Sequence, residues 1–194
     1  MIAPAADRFD DRAMVKGTML RAHLSWAARR FGPEYEPVKS RLSEPVLTLL
    51  SRPVLPTGWI PFSVVIELDR AIAAAAGGDM VETWLALGRH SAALNLTGVY
   101  KSFISGEPHR FFERMTILHH QFQTFGRSVY ERLGERAGRI RIESPTAASP
   151  VYCASGRGYY EEALRLLQAP GPIAVSESAC AASGAPACVF ELAW

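Results

Sequence analysis

The hydrophobic period of this chain changes once, near Gly138, and that change limits the folds open to it. Upstream, apolar residues recur every three or four positions, the period of amphipathic helices. Pro61, Val65, Leu68 and Ile72 follow at spacings of 4, 3 and 4 and predict a helix over Pro61–Ala76, closed by Gly77-Gly78, with Asp69 at the edge of its apolar stripe. Asp79 followed by Glu82 reads as a capping box for a second helix through Trp84, Leu85 and Leu94 towards Tyr100, broken at Gly106-Glu107-Pro108. Phe111, Met115, Leu118 and Phe122 form a third stripe, and Met14–Phe31 reads as mostly helical, weakened by Gly17. Downstream the period becomes two. Ile140 and Ile142 alternate with charged residues, Ile173, Val175 and Glu177 alternate next, and the final run puts Cys188, Phe190, Leu192 and Trp194 on one face. Between them, Pro150–Cys153 reads as short and extended, and Gly156 and Gly158 read as a turn into a helix over Tyr159–Leu167. Segregated helices and strands predict an α+β fold: N-terminal helices packed on a small, mainly antiparallel sheet with a C-terminal hairpin.

The length of 194 residues suits one domain, assigned to 14–194, with residues 1–13 as a disordered leader. That leader carries Asp7, Asp10 and Asp11 without a continuous apolar run, so it does not read as a signal peptide, and the expected location is cytoplasmic. No apolar run is long enough for a membrane span. A net charge of +2 gives no electrostatic case for nucleic acid.

Three cysteines, Cys153, Cys180 and Cys188, all fall in the last 42 residues. In a reducing compartment an odd count argues against a disulfide scaffold. Cys180 and Cys188 flank turn chemistry at Ser183-Gly184-Ala185-Pro186, which brings both thiols to one end of a hairpin. Glu177 lies three residues before Cys180, and Cys153 ends a segment able to approach the same place. Three thiolates and one carboxylate would complete a tetrahedral zinc shell with no open position, hence a structural site. The plainer alternative is three small buried hydrophobes and a solvated glutamate.

The stretch Gly158-Tyr159-Tyr160 followed by Glu177-x-x-Cys180-x7-Cys188-x-Phe190 resembles the C-terminal part of vinyl-4-reductase-type domains. These share a fold with TRAPP vesicle-tethering subunits and with sensor domains of aromatic-responsive bacterial transcription activators. The resemblance implies Cys153, Glu177, Cys180 and Cys188 as ligands of structural zinc. Val15-Lys16-Gly17, Gly58-Trp59-Ile60-Pro61-Phe62, Leu87-Gly88-Arg89 and Gly106-Glu107-Pro108-His109 resemble small bacterial single-domain members of that superfamily.

The function expected from this is a non-enzymatic sensor or adaptor that binds a small apolar or aromatic ligand and signals through a protein partner or homodimer. Phe111, Met115, Leu118 and Phe122 are the candidate pocket residues, against an ordinary core role. The alternatives are a tetrapyrrole-related reductase or enzyme-assembly factor, and a ligand-free TRAPP-like assembly protein. No nucleophile elbow, P-loop or dinucleotide fingerprint is present, and no catalytic residue is assigned. His119-His120 is the only histidine pair, read as a buried His119 beside a solvated His120. Haem is not expected, since nothing else in the sequence accompanies that pair.

Overall fold

A computed structural model describes residues 7–104, 106–144 and 146–194. Two short strands, β1 (Arg8–Phe9) and β2 (Met14–Lys16), precede α1 (Gly17–Phe31), the short helices α2 (Glu36–Lys39) and α3 (Glu44–Leu50), and β3 (Trp59–Pro61). Next come α4 (Phe62–Ala76), α5 (Met80–Thr97) and α6 (Pro108–Ile117), then β4 (Arg127–Gly134), β5 (Ala137–Glu143) and β6 (Ala147–Ala148). The chain ends with α7 (Pro150–Leu166), β7 (Ala174–Ala179) and β8 (Cys188–Ala193). The α+β architecture is as the period change predicts. The main sheet runs β4-β5-β8-β7, with every neighbour antiparallel. Its inward face carries Ile140, Cys188, Phe190 and Leu192, continued by Trp194, all buried.

Two apolar clusters fill the interior. One, under α1 and α4, centres on Leu20, Phe62, Val65, Leu68 and Ile72; the other, between α5, α6, α7 and the sheet, centres on Phe111, Phe112, Leu164 and Phe190. The helix stripe at Val65, Leu68 and Ile72 is therefore core. Asp79 caps α5 by accepting from the backbone N–H groups of Val81 and Glu82. Glu82 pairs with Arg89 at 2.7 Å.

Several boundaries move. Residues 1–6 of the expected leader lie outside the described residues, whereas Arg8–Phe9 pair with Ala147–Ala148 and Phe9 meets Phe62 edge-on. The helical reading from Met14 starts at Gly17, because Met14–Lys16 pair with Trp59–Pro61. Trp59 is 40% exposed, with the Lys16 ammonium 3.7 Å over its ring. Strand β4 gave no sequence signal. Its run RSVYERLG is mostly exposed, so its pairing along β5 replaces the usual apolar alternation.

The largest departure is at Pro150–Cys153, which is helical rather than extended. Pro150 sits in the first turn of α7, where a missing N–H costs nothing, and Cys153 N donates to Ser149 O at 3.0 Å. Gly158 is not a turn either. A β-carbon there would lie 2.0 Å from Leu85 O, and one on Gly88 would lie 1.8 Å from Ser155 O. The two glycines let α5 and α7 cross with backbones in contact.

Candidate functional site

Cys153 stands in the first turn of α7, Glu177 on β7, Cys180 just past its end, and Cys188 at the start of β8. A short 3-10 turn at Ala181–Ser183 and the left-handed Gly184 reverse the chain, and Ala185 N donates to Cys180 O at 3.1 Å. The hairpin thus returns Cys188 beside Cys180, and α7 places Cys153 above both. The Cys153 sulfur is 3.3 Å from that of Cys188 and 3.9 Å from that of Cys180. One ligand atom from each of the four residues lies within 4.8 Å of the others. A metal–sulfur bond of about 2.3 Å gives a tetrahedral edge of about 3.8 Å, so these spacings are those of one coordination shell.

Hydrogen bonds from the Cys153 and Cys188 thiols hold Cys180 well below the usual thiol range. The same sharing, with burial, drives Cys153 up. Cys188 is lowered by Cys153, but Cys180 and burial carry it up to about 11. Burial raises Glu177 to about 7, and its Oε1 is buried without a hydrogen-bond partner among the described residues.

Beside this cluster, between α1, α5, α7, the His119–Gln121 turn and β5, lies a cavity of about 140 Å³. Tyr100, Phe122, Tyr152, Tyr159, Tyr160 and Phe190 give it aromatic walls, with Met19, Met115, Ile140 and Ile142 between them. Cys153 and Cys188 line it too, so the sulfur cluster and the cavity share a wall. Of the four expected pocket residues, Met115 and Phe122 are on the wall. Phe111 is buried core packed edge-on against Phe112, and Leu118 caps α6 away from the cavity.

Polar groups on the wall include His23, Ser91, Asn95 and His119. Asn95 Nδ2 donates to Ser91 Oγ at 3.2 Å. His119 is buried and His120 exposed, as the sequence suggests. The contact of His119 Nε2 with Phe125 O at 3.0 Å makes that nitrogen the donor, because a carbonyl only accepts. Burial lowers the His119 pKa, which leaves a neutral ring with its lone pair on Nδ1. His23 and the helix-borne tyrosines were not among the sequence candidates. The available signal was His23 on the stripe Leu20, His23, Ala27, a polar residue at a core position.

No protein-family model matches the sequence, and no curated protein matches it significantly. Solved structures do match in fold. A structure described as probing heme distortion in the H-NOX family superposes with TM-score 0.68 at 17% identity, covering 92% of this chain and 94% of that one. A T. tengcongensis H-NOX mutant gives 0.68 at 18%, covering 92% and 96%. An oxygen-binding H-NOX domain related to soluble guanylate cyclases, in its oxygen complex, gives 0.65 at 17%, covering 91% and 92%.

The chain therefore has the H-NOX fold. This corrects the resemblance to vinyl-4-reductase and TRAPP-like domains: that reading rested on about a fifth of the chain, whereas the superposition spans nearly all of it. The expectation that the cofactor is structural zinc, with haem set aside, is corrected with it, because two of the matching structures are described by their heme.

Donor chemistry and space give different answers for haem here. The donors fit: a buried imidazole at His119, whose Nδ1 has no hydrogen-bond partner among the described residues, and a ring of aromatic faces. The space is tighter. At about 140 Å³ the cavity matches the roughly 150 Å³ void that takes a benzene. A porphyrin is larger than that, and the walls would have to part to admit one.

Proposed function

We propose that this chain is a small-molecule sensor domain whose ligand occupies the cavity between α1, α5, α7 and the sheet. The cavity itself carries the reading. It is walled by aromatic rings, sits where the two apolar clusters meet, and presents imidazoles to whatever fills it. Haem is the first ligand to test, because structures of this fold are described by it and His119 offers a ligating nitrogen. When bound, haem supplies an iron able to take a diatomic gas. His119 would hold it through Nδ1, the Phe125 carbonyl would fix the ring, and the aromatic walls would exclude water. Hemin added to purified protein should give a sharp Soret band that His119→Ala shifts or abolishes. A spectrum identical to free hemin would sink the haem reading.

A second reading is favoured by the volume: a benzene-sized apolar or aromatic molecule bound directly. Either way, output would pass through a protein partner or a second copy of the chain, which ligand-dependent sedimentation would register. The sulfur spacings also support a thiophilic metal ion on Cys153, Glu177, Cys180 and Cys188. Native mass spectrometry should show one bound metal, lost in Cys180→Ser; retention of full metal by that variant would remove Cys180 from the shell.

A further inference from the structure

His23 of α1 and Asp69 of α4 are each 1% exposed, with Nδ1 and Oδ1 2.7 Å apart. An ionised carboxylate only accepts, so Nδ1 carries the proton and the ring is held in one orientation. Trp84 Nε1 donates to Asp69 O at 3.1 Å and pins α5 at the same point. His23 lines the cavity, yet its Nε2 is buried and has no hydrogen-bond partner among the described residues. The contrast with buried His109 is sharp. His109 is satisfied at both nitrogens, by Tyr130 Oη at 2.6 Å and Glu135 O at 2.9 Å. A buried polar atom that lines a cavity without a partner is one that a ligand can complete.

We propose that His23 Nε2 is the polar recognition point of the cavity, for a benzene-sized molecule that carries a hydroxyl. Size follows from the volume of about 140 Å³. The hydroxyl follows from the nitrogen: a neutral His23 accepts an O–H there, a protonated one donates to the oxygen, and a hydroxyl serves both. A fully charged head group would be stripped of water against walls whose exposed surface is mostly apolar. Ser91 and Asn95, on the same wall, give a hydroxyl oxygen further polar company. This assignment rests on the cavity as the ligand site and is independent of haem.

The test compares benzyl alcohol with toluene on the full-length protein, by calorimetry and by the ¹⁵N resonances of His23. The expected result is binding of benzyl alcohol about tenfold tighter than toluene, with a shift of the His23 Nε2 signal. In the paired variant His23→Leu/Asp69→Leu, which leaves no buried charge unpaired, the preference should vanish while toluene still binds. Equal affinities, or a His23 signal unmoved at saturation, would overturn the anchor and leave the cavity reading standing. Binding of neither probe would overturn the anchor together with the benzene-sized reading. A high-resolution structure with only an ordered water on Nε2 in saturating benzyl alcohol would also overturn it. The hemin titration reports separately on haem.

Discussion

Gly158→Ala and Gly156→Ala, two residues apart on α7, should change stability in opposite directions. In an ordinary helix interior, Gly→Ala stabilises by about 0.5–1 kcal/mol through backbone entropy. Gly156 is such a position: an added β-carbon would meet Phe190 and Tyr160 ring carbons at 4.0 Å, ordinary contact. At Gly158 the same carbon would lie 2.0 Å from Leu85 O and 2.8 Å from Leu85 C, both backbone atoms that no rotamer change can move. Relief requires α5 and α7 to part by more than 1 Å, roughly the shortfall from normal contact. Overpacking of this kind costs about 1–3 kcal/mol or more, which outweighs the propensity gain. For a domain of this size about 2 kcal/mol lowers Tm by about 4–8 °C. Thermal and urea unfolding followed by circular dichroism would measure both variants. A Gly158→Ala protein as stable as the wild type would refute the backbone contact. Both helices line the cavity, so the same variant should also weaken ligand binding.

Asp69→Ala leaves His23 buried without its carboxylate and should cost about 3–5 kcal/mol in urea unfolding. Removal of Trp194, buried against His109 at 4.8 Å between ring centroids, should cost about 1–3 kcal/mol; an unchanged urea midpoint would contradict that packing. Burial lowers the His119 pKa from 6.5, so below that pH the unfolded chain takes up a proton that the folded one resists. Wild-type stability should therefore fall relative to His119→Gln as pH drops below about 6.5, and parallel pH curves would exclude the effect.

The stripe of α4, the late strands and the inward face ending at Trp194 were legible because each depends on neighbours within one or two turns, whereas the stripe from Phe111 to Phe122 outruns α6, which ends at Ile117. The convergence of Cys153, Glu177, Cys180 and Cys188 was legible in part, since a hairpin turn is a local signal. Placing Cys153 on a helix was not. The glycines of α7 look like turn residues in sequence, and only the backbone of α5 pressed against Gly158 shows why a helix carries them. Strand β4 was invisible for a related reason: its partner strand, and not its own composition, holds it.

What the sequence determined by itself was the passage from N-terminal helices to a late antiparallel sheet and the hairpin that gathers two thiols, because hydrophobic period and turn chemistry act over short distances. The tertiary structure decided the α5–α7 crossing, the cavity beside it, and the pairing of His23 with Asp69 across 46 residues. Those features depend on which faces of distant helices meet, and a polar residue on an apolar stripe shows its purpose only when its partner is packed against it.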